Sequence, residues 1–146
     1  RFYDIKKNRT ECFGGTTTIV YNTKSKKIIN QHLSLSGTLV NCSGGQTPWN
    51  TWITCEETVK KSSGKITKDH GYNFEVIPFS NVMESSPYPL ESMGRFRHEA
   101  ICVDSKNNFN LPKAVCPYSL FKKLCICGVV GNDWVISIFN PIPPAP

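Results

Sequence analysis

The sequence lacks the patterns that define several large classes of protein. None of its 146 residues belongs to an apolar stretch near the roughly 18 residues of a membrane-spanning helix, so we predict no membrane span. Its seven cysteines include no CxxC pair, which argues against a structural zinc finger. No long segment has the 3.6-residue apolar period of an amphipathic helix. These absences leave a globular chain of mainly short strands.

The charge balance is mildly basic. Lysine and arginine number 17 against 11 aspartates and glutamates, a net charge of +6. The lysines lie in turn-like positions around 24–27 and 60–65, and they do not form a stripe interleaved with aromatic residues. Nucleic-acid-binding surfaces typically have such a stripe, so we predict no nucleic-acid partner. No pattern indicates an oligomeric state.

Short segments of alternating apolar and polar residues dominate the first two thirds of the chain. Gly, Asn, Ser and Pro separate them, as is typical of strands joined by turns. They are 16–21, 27–35, 49–55, 70–77 and 95–103. We therefore predict an all-β fold. The periodicity suits a sandwich as well as propeller blades, and a propeller in a chain of this length would be incomplete, because a closed one needs at least four blades.

The composition of the sequence changes near residue 106. The remaining residues contain three of the seven cysteines and end in a proline-rich stretch. We predict one domain over 1–105 and a divergent, Cys- and Pro-containing tail over 106–146. The first residues, RFYDIKKNRTECFGG, are typical of the middle of a protein, so we expect a fragment of a longer chain.

The stretch NCSGGQTPWNTWITCEE, residues 41–57, combines unusual residue types. Cys55, Glu56 and Glu57 close a predicted strand, where a thiolate and two carboxylates can offer soft and hard metal ligands together. The alternative is a buried cysteine followed by two solvated glutamates. We predict that Trp49 and Trp52 pack in the core or between strands.

A second polar motif, MGRFRHEA, covers residues 93–100. Arg95 and Arg97 could clamp a phosphate, while His98 and Glu99 could bind metal or transfer protons. The alternative is an exposed basic strand with one ion pair. A third polar group, Asp69-His70-Gly71, is interpreted as a turn capped by aspartate.

Taken in order, four segments resemble the PhoX-type alkaline phosphatase family. They are GGTTTIVYNTKSKKI, HLSLSGTLVNCSGGQTPWNTWITCEE, KDHGYNFEVIP and MGRFRHEAICVD, and the resemblance spans about residues 10–104. It implies an incomplete β-propeller of two to three blades' worth of antiparallel strands. It also implies an exported, metal-dependent phosphomonoesterase that uses iron together with calcium and acts on small phosphomonoesters.

The resemblance also implies a site. The metal ligands would be Cys55, Glu56, Glu57 and Glu99, with Cys42 as the alternative thiolate. Arg95, Arg97 and His98 would be catalytic, with His98 either a ligand or a support for one. No serine or threonine stands out as a phosphorylated intermediate, so a metal-bound oxygen nucleophile is expected.

The sequence departs from the family at two points. Asn50 stands where the family usually has glycine, and the resemblance stops near Asp104. Ligands supplied by later blades would then be missing, so the chain alone could be inactive.

Two other functions fit the residues. One is a non-catalytic metal-binding β module. The other is a secreted, disulfide-containing interaction domain, which the seven cysteines and the sequons at Asn8 and Asn41 suggest.

Overall fold

The structure is a computed structural model that describes residues 2–5, 12–78 and 87–103, and the backbone of strands at 109–110, 124–130 and 133–139. These described residues contain nine strands and one 3₁₀ turn. In chain order the strands are β1 (Gly14–Asn22), β2 (Lys27–Thr38), β3 (Gly45–Gln46), β4 (Trp52–Cys55), β5 (Asn73–Val76), β6 (Cys102–Val103), β7 (Phe109–Asn110), β8 (Leu124–Val130) and β9 (Asp133–Phe139). The all-β prediction is confirmed.

The strands form three antiparallel sheets. Their strand orders are β2-β1-β9-β8, β3-β4-β5 and β6-β7, and every strand pair is antiparallel. None of the three sheets closes on itself in the described part of the chain. The described residues also contain no helix long and apolar enough to cross a membrane.

The hairpin of β1 and β2 forms as the sequence predicts. The turn at 23–26 is stabilised by Asn22, whose Oδ1 accepts a hydrogen bond of 2.7 Å from the backbone N–H of Ser25, a common role for asparagine in turns. At the far end of β2 the N-terminal segment joins the sheet, because Tyr3 N donates to Ser36 O at 2.9 Å and Asp4 N to Gly37 O at 3.1 Å. These two hydrogen bonds fix Asp4 beside the end of β2.

Strand β4 is the central element of the core, because all four of its residues are buried. Trp52 packs with Tyr3, Leu35 and Phe74 on one face, and Ile53 and Cys55 pack with Ile101 on the other. The alternation predicted for this segment is confirmed. Burial on both faces explains why its residues are apolar or small.

Trp49 departs from the prediction that both tryptophans are packed. It is 44% exposed, whereas Trp52 is 5% exposed. Trp49 lies in the turn before β4, where its indole N–H donates to Glu75 Oε1 at 2.7 Å. Thr47 and Thr51 close this turn through a side-chain hydrogen bond of 2.7 Å, so strand pairing starts only at Trp52.

The strand predicted over 95–103 is wrong for most of its length. Only Cys102–Val103 is a strand, and Arg95 follows Gly94, whose φ of 76° is in the left-handed region that favours glycine. His98 is buried while Cys102 is exposed, so the expected alternation fails. The segment instead follows specific hydrogen bonds to neighbouring loops, which a period-two pattern cannot reveal.

Candidate functional site

The segment that starts with Asn41 runs between two other segments of the chain. On one side Cys42 N donates to Cys55 O at 2.7 Å, and Glu57 N donates to Val40 O at 2.9 Å. On the other side Gly44 N donates to Glu99 O at 2.9 Å, next to a parallel bridge with Ala100. The two motifs found in the sequence therefore meet in space, although more than 40 residues separate their centres.

The Gly-Gly pair makes this approach possible. A Cβ built on Gly44 would lie 2.1 Å from Ile53 O, and one built on Gly45 would lie 2.3 Å from Ile101 O. Real Cβ atoms do not come that close to a carbonyl oxygen, so only glycine allows the three segments to pack. The two glycines thus leave room for the backbone of the neighbouring segments. Gly44 also has a φ of 77°, which an L-residue with a side chain adopts only with strain.

Four side chains of these segments interact at one end of β4, and we call Cys42, Cys55, Glu57 and Glu99 the edge cluster. Burial, and then the interactions with Glu57 and the charge of Glu99, raise the pKa of Cys42 to about 11 in spite of a hydrogen bond from the backbone of Ser43. Burial raises the pKa of Cys55 more strongly, with Cys42 and Glu99 adding to the effect. Cys42 is half-buried and Glu57 is exposed, whereas Cys55 is fully buried. Both thiols are therefore held in the neutral form, mainly by burial and in part by the neighbouring carboxylates.

Glu56 points away from the edge cluster and is fully buried. Its Oε1 accepts hydrogen bonds from Leu39 N and from His70 Nδ1, at 2.8 and 2.7 Å. Its Oε2 accepts from Gly71 N at 2.7 Å and from Tyr72 N at 3.1 Å. Both carboxylate oxygens are thus engaged by protein donors, as a buried carboxylate requires.

His70 links Glu56 to two residues from the N-terminal part of the chain, and we call Asp4, Cys12, Glu56 and His70 the buried network. His70 Nε2 lies 3.3 Å from Asp4 Oδ2 and 3.4 Å from Cys12 Sγ. In the part of the chain that the structure describes, Asp4, Cys12 and His70 are the one group of possible metal ligands whose donor atoms all lie within 4.8 Å of one another. All three residues are buried.

Electrostatics favour charge separation inside the buried network. Burial alone would lower the pKa of His70, but hydrogen bonds and charges from Glu56 and Asp4 raise it above its ordinary value. Burial would raise the pKa of Asp4, but hydrogen bonds from the side chain and backbone of Thr67, from Lys68 N and from His70 lower it. The network therefore favours a charged imidazole between carboxylates.

Asp4 and Cys12 were not among the site residues predicted from the sequence. Asp69-His70-Gly71 was noted, and the interpretation of Asp69 as a turn cap agrees with its Oδ1 accepting from Ser62 N at 2.8 Å. Nothing in the spacing links His70 to residues 58 and 66 positions earlier. Only the fold brings them together.

The structure gives Arg95 and His98 partners in the protein itself. Arg95 Nη2 donates to Val59 O at 2.5 Å, and its Nε lies 3.8 Å from Asp69 Oδ2, an ion pair beyond hydrogen-bond length. Burial lowers the pKa of His98, although its hydrogen bond with Gly94 O and the charge of Glu56 act in the opposite direction. Its Nε2 donates to Gly94 O at 3.1 Å. Arg97 is exposed.

Asn50, where the resemblance implied glycine, has a φ of 66°. Asparagine is one of the few residues with a side chain that tolerate this left-handed conformation. The substitution therefore keeps the turn that precedes β4.

The four cysteines in the described part of the chain, Cys12, Cys42, Cys55 and Cys102, are free thiols. The described residues thus give no support to a disulfide-stabilised interaction domain. Asn41 of the second sequon is buried and donates to Thr54 Oγ1 at 3.0 Å, so its side chain is not presented for modification.

Comparison with protein families gives a match that covers most of the chain. The family model described as alkaline phosphatase PhoX matches residues 5–111, well over half of the chain and a region that contains both motifs. No curated protein and no solved structure matches the chain. The chain therefore belongs to the alkaline phosphatase PhoX family.

Proposed function

We propose that this chain carries part of the active site of a PhoX-type phosphomonoesterase, in which Cys42, Glu57 and Glu99 bind the metal ions. The observation that supports this most is that backbone hydrogen bonds bring the segments that carry Cys42, Glu57 and Glu99 together at one end of β4. Their carboxylates raise the pKa of the Cys42 thiol, and the three donor atoms, which do not all lie within 4.8 Å of one another in the described structure, would have to close around an ion.

The donor set fits the metals that the family resemblance implies. Of the two implied metals, iron is the one that a thiolate favours, and carboxylates bind both iron and calcium. The carboxylates that raise the pKa of Cys42 would equally favour a bound cation, since a cation neutralises their repulsion. Glu57 is exposed and can turn about its side-chain torsions to close around an ion.

We propose Cys42 rather than Cys55 as the thiolate ligand. Cys55 is 0% exposed and packs against Ile53 and Ile101, whereas Cys42 is half-buried and lies beside Glu57. We also propose that Glu56 positions the site. Its oxygens hold the loop at 70–72, and its carbonyl accepts a hydrogen bond from His98 N at 3.0 Å.

When bound, the metals would neutralise the phosphate oxygens and activate an oxygen nucleophile. The residues of the chain hold the ligands in place. His98 and Arg95 fix the segment that carries Glu99, because Arg95 donates to Val59 O and the backbone N–H of His98 donates to Glu56 O, while His98 Nε2 donates to Gly94 O within the segment. Arg97 is exposed and two residues from Glu99, so we propose it as the side chain that contacts the phosphate.

The proposal includes the propeller. The sheets of four, three and two strands are antiparallel and unclosed, which supports an incomplete propeller. Members of the family are typically exported, and we propose the same for this protein. The substrate class would be small phosphomonoesters.

The test is hydrolysis of p-nitrophenyl phosphate by the full chain supplied with iron and calcium. We expect turnover that Cys42→Ser, Glu57→Gln and Glu99→Gln each reduce by at least about 100-fold, the scale on which single charge-stabilising groups act. Glu91→Gln and Cys102→Ser are matched controls, because both residues are exposed and lie outside the edge cluster.

Two results would contradict the proposal. Absence of turnover under every metal condition would exclude catalysis by this chain, and calcium-dependent thermal stabilisation without turnover would favour the non-catalytic metal-binding module. Equal loss of activity in the controls and in the edge-cluster variants would exclude the assigned ligands.

A further inference from the structure

We propose that Asp4, Cys12 and His70 form a structural zinc site in the interior of the domain, separate from the edge cluster. The three residues come from the N-terminal segment, from the residues just before β1 and from the loop before β5. They offer one oxygen, one sulfur and one nitrogen donor. All are among the ligands that Zn²⁺ takes in proteins.

The distances between the donor atoms match such a centre. With zinc bonds of about 2.0–2.3 Å, a tetrahedral site separates its ligand atoms by roughly 3.3–3.6 Å. His70 Nε2 lies 3.3 Å from Asp4 Oδ2 and 3.4 Å from Cys12 Sγ. The remaining separation, between the donor atoms of Asp4 and Cys12, is at most 4.8 Å. A zinc ion would therefore need only small movements of these side chains, and a water would be the fourth ligand of the tetrahedral site.

The surroundings of His70 support the same assignment. Metal-binding histidines usually donate their other ring N–H to a carboxylate, which fixes the orientation of the ring. Glu56 Oε1 accepts from His70 Nδ1 at 2.7 Å, so Nε2 is directed at Asp4 and Cys12. Tyr3 packs edge-on against the imidazole, with ring centroids 5.4 Å apart.

The placement indicates a structural role. The donor residues are buried, so a substrate has no access to the ion. Zinc would tie the N-terminal segment, which already pairs with the end of β2 through Tyr3 N and Asp4 N, to the loop at 66–71. A single oxygen donor also excludes calcium, which takes six to eight oxygen ligands.

The test is titration of the reduced full chain with Zn²⁺, and with Co²⁺ as a spectroscopic probe. We expect Cys12→Ser to weaken zinc binding by more than about 100-fold, because losing a neighbour of a ligand already costs 10- to 100-fold. In the Cys42→Ser background, which lacks the thiol of the edge cluster, it should also remove the sulfur-to-cobalt charge-transfer band. In the same background Cys102→Ser, at an exposed cysteine, should retain both. Unchanged zinc affinity in Cys12→Ser would overturn the proposal.

A second measurement decides the matter if Cys12→Ser does not fold. In the Cys42→Ser chain, Cys12 and Cys55 are both buried thiols, and their alkylation in mild denaturant is followed by peptide mass spectrometry. A zinc ion on Cys12 slows its alkylation far more than that of Cys55, whereas equal slowing of the two would overturn the site. Neither readout depends on phosphatase turnover, so this proposal and the proposed function can fail independently.

Discussion

Two adjacent glutamates belong to different groups: Glu56 is part of the buried network, and Glu57 is part of the edge cluster. Glu56 is 0% exposed and accepts four hydrogen bonds from the protein. Glu57 is exposed and interacts with the half-buried thiol of Cys42. Because successive side chains of an extended segment point to opposite faces, neighbours with the same chemistry enter different environments. The difference shows that a carboxylate inside the fold stabilises it, while one at its edge is available for a ligand.

The largest test of this contrast compares the two glutamates in unfolding experiments. Glu56→Ala should lower the free energy of unfolding by about 3–5 kcal/mol, because it leaves a buried imidazole and three backbone N–H groups without their acceptor. Glu57→Ala should change it by no more than about 0.5 kcal/mol, as is usual for exposed positions. Urea denaturation of the metal-free variants measures both. Similar losses in the two variants would contradict the contrast.

A smaller loss of stability is expected when alanine replaces either of two glycines with positive φ. Gly44→Ala should cost more than about 2 kcal/mol, since the new Cβ is strained and meets Ile53 O. Gly64→Ala should cost only about 1 kcal/mol, because its Cβ would meet nothing within 4 Å. Thermal unfolding measures both variants. If Gly44→Ala were as stable as Gly64→Ala, the result would contradict the close packing of Gly44 against the backbone of Ile53.

The smallest expected effect is the pH dependence of the stability that the buried network contributes. The raised pKa of His70 means that its contribution to stability is complete below the ordinary value of 6.5 and is lost as pH rises through the folded-state pKa. The lowered pKa of Asp4 means that its contribution is complete above the ordinary value of 3.8 and is lost as pH falls through the folded-state pKa. With a chelator present, wild type should therefore lose stability above pH 6.5 relative to His70→Gln.

Parallel stability curves for wild type and His70→Gln between pH 6 and 9 would contradict the charged imidazole. Cys102→Ser serves as the control, because its thiol is exposed and does not belong to the buried network. Its curve should follow that of wild type throughout.

Much of the fold could be predicted from local pattern. The β1–β2 hairpin and the central strand β4 follow from β-branched residues, alternation and turn residues, which act over a few positions. The strand predicted over 95–103 failed because Arg95 donates to the carbonyl of Val59 and the backbone N–H of His98 donates to the carbonyl of Glu56. Such partners are distant in sequence and leave no periodic signal.

The candidate site was predictable in part. Glu57 and Glu99, and Cys42 as the alternative to Cys55, were predicted because their motifs are unusual and resemble a family in order and spacing, and their role as ligands stays a prediction. Glu56 was grouped with them by adjacency, and only the structure shows that its oxygens face His70 and the backbone at 71–72. Asp4 and Cys12 were missed because their only link to His70 is the fold itself.

The most direct test of the edge cluster as the metal site is to count the iron and calcium bound by the purified chain. Elemental analysis should compare wild type with Glu57→Gln and with Glu91→Gln, which makes the same chemical change at another exposed position. We predict that Glu57→Gln loses bound metal while Glu91→Gln keeps the content of wild type. Equal metal content in all three proteins would contradict the assignment of the edge cluster as the metal site.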